Sequence, residues 1–202
     1  GLGILVKSAT YGDEIGEKTD MCDWLPKFRN SMHLILSFKN HPNRYYSDSR
    51  TNDIIMFKSC FPNSNIIEDG VDSGDAVSGK RTIPNYKSVF ILLGEEFRKF
   101  PDKLFIYLTS PPLVPEATAL ENAGRARIFA DWLTNEYLYE YYQETGLNNI
   151  LIFNLFDILA DDENYLRKEY RARQRGDSHL NEEGYRKAAE MLLEFFKKIK
   201  PG

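Results

Sequence analysis

Four short apolar runs punctuate the chain: Ile4 to Val6, Ile54 to Phe57, Leu104 to Leu108, and Ile150 to Phe153. Each is β-branched or aromatic, alternates poorly and ends in polar or turn residues, which is how strands buried on both faces of a parallel sheet read. Between and after them the period lengthens. Val89, Phe90, Leu92, Leu93 and Phe97 fall on one helical face, and Ile128, Phe129, Trp132, Leu133, Tyr137, Leu138 and Tyr141 do the same further on. A last helix is predicted from Asn181 as N-cap through Ala188, Met191, Leu192, Phe195 and Phe196. It ends in Lys197, Lys198 and Lys200, where cations favour the helix dipole.

Strands alternating with long helices imply right-handed βαβ crossovers. The expected fold class is therefore α/β, a doubly wound parallel sheet covered on both faces. In such sheets ligands bind beyond the carboxyl ends of the strands. That rule selects Lys7-Ser8-Ala9-Thr10, Lys58-Ser59-Cys60-Phe61-Pro62-Asn63-Ser64, Thr109-Ser110-Pro111-Pro112, Asn154 and, further on, Asp177-Ser178-His179. The stretch from Glu68 to Thr82, with Gly70, Gly74 and Gly79 among Asp and Ser, reads as a mobile surface loop.

Composition narrows the partners. With 202 residues, 42% hydrophobic and 13% aromatic, the chain suits one sizeable core, so residues 1–202 are expected to form a single domain. Its 26 basic and 30 acidic side chains are mixed along the sequence, giving a formal charge of −4 and no broad positive surface for nucleic acid. No apolar run approaches the roughly 20 residues that span a bilayer. The start Gly1-Leu2-Gly3 lacks signal-peptide features. A secreted or extracytoplasmic enzyme after processing would look the same, as would the scar of an expression tag, so the compartment stays open. Two cysteines, Cys22 and Cys60, are too few for a disulfide framework and lack the clustering of a zinc site.

The sharpest local chemistry is Gly176-Asp177-Ser178-His179-Leu180-Asn181. Histidine can act as a general base near neutral pH, and a nearby carboxylate holds its tautomer and stabilises the imidazolium. The plainer reading is that Asp177 caps the turn and His179 sits on the surface. His33 and His41 lie in a polar region without a carboxylate or cysteine at ligand spacing and are expected at the surface. Asn63 could supply an amide donor to an oxyanion, or simply form a Pro-Asn-Ser turn. Cys60 could serve as a thiolate paired with His179, although a free cysteine after a buried strand is more often an inert small hydrophobe. Arg167, Lys168, Arg171, Arg173 and Arg175 could meet an anion, but the interspersed Glu163 and Glu169 favour a solvated charged surface.

With these residues in view, the chain resembles a branch of the SGNH (GDSL-like) hydrolase superfamily. The resemblance rests on Gly1-Leu2-Gly3-Ile4, Tyr11-Gly12, Ile15-Gly16-Glu17-Lys18-Thr19-Asp20 and Ile55-Met56-Phe57-Lys58-Ser59-Cys60-Phe61-Pro62-Asn63-Ser64. It continues through Asp102-Lys103-Leu104-Phe105-Ile106, Pro111-Pro112-Leu113, Asn122 to Arg127, Trp132-Leu133 and Asp177-Ser178-His179. It implies a flavodoxin-like three-layer α/β/α sandwich, a Ser-His-Asp site for cleaving acyl esters, and no metal or organic cofactor. On the same resemblance His179 is the base, Asp177 the acid and Asn63 the oxyanion-binding amide.

Two departures stand out. Most members place the acid three residues before the histidine, where this chain has Gly176. Some acyl-transferring relatives use the shorter spacing. The superfamily's Gly-Asp-Ser-like block after the first strand is also missing, so the nucleophile is expected to be Ser8 or a serine upstream of Gly1. The substrate implied is a small-molecule or carbohydrate ester, such as an acetylated sugar or a lipase-like ester. The alternative is a catalytically inactive carbohydrate-binding or interaction protein, for which Tyr137, Tyr139, Tyr141 and Tyr142 would be the aromatic surface. Most of those tyrosines read better as helix packing.

Overall fold

The computed structural model describes residues 4–70 and 73–199. Gly1-Leu2-Gly3, at the head of the resemblance, and Lys200, read as the end of the last helix, lie outside these residues. At the centre is a three-stranded parallel sheet of β3 (Ile54–Lys58), β4 (Leu104–Leu108) and β5 (Ile150–Phe153), in that order. Three of the four runs read as strands are therefore strands. Two shorter strands, β1 (Phe38–Asn40) and β2 (Arg44–Tyr45), make a separate antiparallel hairpin.

The strands expose alternate side chains to two apolar clusters, as the period of two requires. Ile55, Phe57, Phe105, Tyr107, Ile150 and Ile152 join one cluster with α1 (Met21–Ser37), α2 (Ile83–Phe97), α3 (Leu120–Trp132) and α4 (Leu138–Thr145). Ile106 and Phe153 join the other with α5 (Leu155–Leu159), and α6 (Glu182–Lys198) packs on it. The molecule is thus a mixed α/β protein built on a parallel sheet. No described helix is long and apolar enough to cross a membrane.

Local chemistry accounts for most helix ends. Thr82 caps α2 by accepting from the Asn85 amide at 3.3 Å, with Pro84 in the first turn where its missing N–H costs nothing. Asn181 caps α6, its Oδ1 accepting from the Gly184 amide at 2.9 Å, at the position the sequence predicts. The second helical segment is continuous from α3 into α4 through a π-helical turn at Leu133–Tyr137. It ends where Gly146 takes the left-handed conformation, φ 68°.

The run Ile4 to Val6 is not a strand. Leu5 and Val6 are 79% and 78% exposed and carry no regular structure. β-propensity measures the fit to a pleated neighbour, and this run has none among the described residues. Instead the segment after it is tied to the hairpin: Lys7 Nζ lies 4.3 Å from the Tyr46 ring centre, and Thr10 Oγ1 lies 3.1 Å from His41 Nδ1.

The described parts of the Glu68–Thr82 loop, residues 68–70 and 73–82, are also more fastened than expected. Asn85 holds it twice, Oδ1 accepting from the Asp75 amide at 2.8 Å and Nδ2 donating to the Lys80 carbonyl at 3.0 Å. Ala76 is buried in the core, and at Gly74, φ +83°, a Cβ would stand 2.1 Å from the Pro84 carbonyl oxygen. Only glycine allows that approach.

Candidate active site

The Asp177 turn lies in the irregular segment just before α6. Ser178 points inward and is 3% exposed, its Oγ accepting from the Val114 amide at 3.2 Å. That contact pins the turn to the segment following β4. On either side of Ser178, Asp177 is half-buried and His179 exposed. Gly176, φ 79°, makes the reversal that precedes them.

Asp177 Oδ1 accepts twice, from the His179 amide at 2.9 Å and from His179 Nδ1 at 2.6 Å. The carboxylate is therefore the acceptor of an Asx turn and of the imidazole proton together. Because a carboxylate can only accept, Nδ1 carries the proton and Nε2 presents its lone pair. The amide of His179, and then its side chain, hold the Asp177 carboxyl below its usual range. Phe61, three residues past β3, meets the histidine edge-on with ring centres 4.8 Å apart. It links the end of one strand to the Asp177–His179 turn. Among the described residues, Nε2 has no hydrogen-bond partner and no serine hydroxyl bonds to His179. The side chain is 61% exposed.

Asn63 lies in a 3₁₀ turn, Phe61–Ser64, that follows β3. It is buried, and all its bonding capacity is engaged. Oδ1 accepts from the Met21 amide at 2.9 Å and from the Tyr86 hydroxyl at 3.3 Å. Nδ2 donates to Asp20 Oδ1 at 3.0 Å and to the Cys60 carbonyl at 3.1 Å. Burial pushes the Tyr86 phenol well up, so it remains a donor. The residue is thus a joint between α1 and the strand end, and its amide reaches a further acceptor only by releasing Asp20 or Cys60.

The other candidates are placed apart from His179 in their bonding. Ser8 is exposed, with no hydrogen bond to the histidine. Cys60 is a half-buried free thiol whose backbone carbonyl serves Asn63. Arg171 and Arg175 face Asp161 at 3.9 Å and Glu116 at 3.4 Å, in keeping with a solvated charged surface. Tyr137 and Tyr141 are buried packing residues, while Tyr139 and Tyr142 are exposed.

His33 is exposed as expected. His41 is exposed too, as expected; no carboxylate stands at ligand spacing, but folding brings Asp13 to it from 28 residues away. His41 Nδ1 lies 2.7 Å from Asp13 Oδ1, and the buried Asp13 also accepts from the amides of Thr10 and Asn43. Both ring contacts use Nδ1, so Thr10, His41 and Asp13 form a fastening rather than a proton relay. Among the described residues no group of three or more His, Cys, Asp or Glu side chains is arranged to hold a metal ion.

Sheet and site together define a mixed α/β protein with an Asp–His pair beyond the strand ends. No protein-family model matches the chain, and no curated protein matches it. A solved structure proposed to be a platelet activating factor from Streptococcus pneumonia aligns at 16% identity with a TM-score of 0.45. The alignment covers 87% of this chain and 79% of that one. At that distance neither fold nor activity is carried across.

Proposed function

We propose that this protein is a serine hydrolase of acyl esters on a three-layer α/β/α sandwich of the SGNH type. The observation that carries the reading is the Asp177–His179 pair, 2.6 Å apart, with Nε2 unbonded among the described residues and Phe61 edge-on to the ring. In this reading a serine hydroxyl, from Ser8 or a serine preceding Gly1, attacks the acyl carbon while Nε2 takes its proton. The carbonyl electron pair moves to oxygen, whose charge is met by Asn63 Nδ2 once Asp20 releases it. Collapse expels the alcohol, which leaves with the proton from Nε2. Water then attacks the acyl-serine, with His179 again as base. Asp177 keeps the ring in the right tautomer throughout.

Turnover of p-nitrophenyl acetate tests this. The reading expects His179→Ala to lower kcat by about 10³-fold or more; an unchanged rate removes the histidine from the mechanism. Labelling with a fluorophosphonate and mapping the adduct by mass names the nucleophile. A second reading, a non-catalytic carbohydrate-binding protein on the same fold, is favoured by one observation, that no described serine hydroxyl bonds to His179. A labelled serine overturns it.

A further inference from the structure

Beside Asn63 lies a cavity of about 230 Å³, bordered by Asp20, Cys22, Asn63, Ser78, Arg81 and Tyr86. Three stretches far apart in sequence meet there: the start of α1, the turn after β3, and the loop that enters α2. Arg81 is held in place by one bond, Nη1 donating to the Pro62 carbonyl at 2.7 Å. Its remaining N–H groups have no partner among the described residues. Asp20 uses Oδ1 for the Asn63 amide, and its carboxylate also takes part in the capping box that opens α1 with Asp23. Burial, and then the carboxylates of Asp23 and Asp20, push the Cys22 thiol up, so it borders the cavity as a neutral group.

The geometry points to a binding site for a single sugar ring, the alcohol part of the ester in the proposed reaction. The cavity falls below the roughly 300–1,000 Å³ of drug-sized sites, so it takes one ring-sized group. A guanidinium fork and a carboxylate face the same space. A net anion would meet Asp20 and a net cation would meet Arg81, which disfavours both. Neighbouring hydroxyls suit it, since each is a donor and an acceptor at once. An acyl chain does not, because it would leave both charged groups desolvated and unpaired.

Position relates the cavity to the acid–base pair. Pro62 anchors Arg81, and the adjoining Phe61 packs on His179, so one short turn borders both. Asp20 couples them further. A ring hydroxyl donating to Asp20 replaces the Asn63 amide there and frees one Nδ2 hydrogen for the ester's carbonyl oxygen. This role as alcohol subsite rests on the esterase reading; the binding of the sugar does not.

The test is titration of the whole chain with the methyl glycosides of glucose, xylose, galactose and N-acetylglucosamine, followed by saturation-transfer NMR and calorimetry, with sodium phosphate as an anionic probe. At least one glycoside is expected to bind saturably, Arg81→Met to weaken it tenfold or more, and phosphate not to compete. Failure of all four glycosides to bind, equal binding by Arg81→Met, or preferential binding of phosphate overturns the sugar site. p-Nitrophenyl acetate is assayed in parallel on the unaltered chain. Glycoside binding without any ester turnover keeps the sugar site and overturns the esterase reading, whereas turnover without glycoside binding does the reverse.

Discussion

Asn63 and Asp20 hold each other across the start of α1, the amide donating to the carboxylate at 3.0 Å. The same amide that could meet an oxyanion is therefore also a structural tie, and a simple truncation would confuse the two roles. Asn63→Ala leaves the Met21 amide and the Tyr86 hydroxyl buried without their acceptor. Unsatisfied buried groups cost about 1–3 kcal/mol each, so a loss of roughly 2–6 kcal/mol in urea unfolding is expected. The reciprocal double variant, Asn63→Asp with Asp20→Asn, keeps an amide–carboxylate pair across the same gap. It sets a carboxylate oxygen against the Cys60 carbonyl, so it is expected to recover only part of that stability while lowering p-nitrophenyl acetate turnover by about 10²-fold or more, the usual cost of one oxyanion donor. Wild-type turnover in the double variant would exclude Asn63 as that donor.

Asp177→Asn keeps Oδ1 as acceptor for both the His179 amide and Nδ1, but removes the negative charge that stabilises the imidazolium. A fall in kcat of about 10²-fold or more with little change in Tm is expected, since the pair lies at the surface. A drop in Tm matched by a proportionate drop in activity would point instead to a purely structural turn.

The Asp13 carboxyl is held below its ordinary value of 3.8, first by the Thr10 amide and then, against the cost of burial, by His41 and the Asn43 amide. A carboxyl with a depressed folded-state pKa stabilises the protein above its unfolded value, and that stability is lost as pH falls through the folded value. Wild-type stability should therefore decline as pH drops below about 4. Asp13→Asn should show a lower plateau at neutral pH and a shallower acid limb, measured by urea unfolding at each pH. Parallel acid limbs in the two proteins would discount the carboxylate.

Gly74→Ala tests the fastening of the loop that carries Arg81. The positive φ alone costs about 1–2 kcal/mol for a residue with a Cβ. The Pro84 carbonyl at 2.1 Å adds a clash that only backbone movement relieves. A lowered Tm and proteolytic cleavage between Glu68 and Thr82 are expected; an unchanged digestion pattern would show that the loop accommodates the methyl group.

The sheet was legible because β3, β4 and β5 are short, uniformly apolar runs closed by polar residues, and the cap of α6 at Asn181 was equally plain. Helix α1 carries a legible pattern too: Met21, Trp24, Leu25, Phe28, Met32, Ile35 and Leu36 keep helical spacing after Asp20. Pro26 and the polar Asn30 and His33 break up the run to the eye, although they fall on the other side. Ile4 to Val6 misled for the opposite reason, since it has the composition of a strand and nothing to pair with. Asp13 with His41, and Arg81 with Asp20, follow no spacing rule at all. They are joined by tertiary folding, which a one-dimensional pattern does not encode.

The proposed acid and base of this site come from a single turn. Where an acid and a base stand on separate loops, each pays its own ordering entropy, and any shift of one loop against the other changes their distance. Here the segment that must be closed is two residues long, so the entropy of bringing the groups together is near its minimum. Asp177 also bonds the backbone of the residue it orients, which makes the spacing nearly independent of the surrounding sheet. Substitutions that loosen the strands or the helices should move this pair as a unit: its aim at a substrate would change long before its internal geometry does.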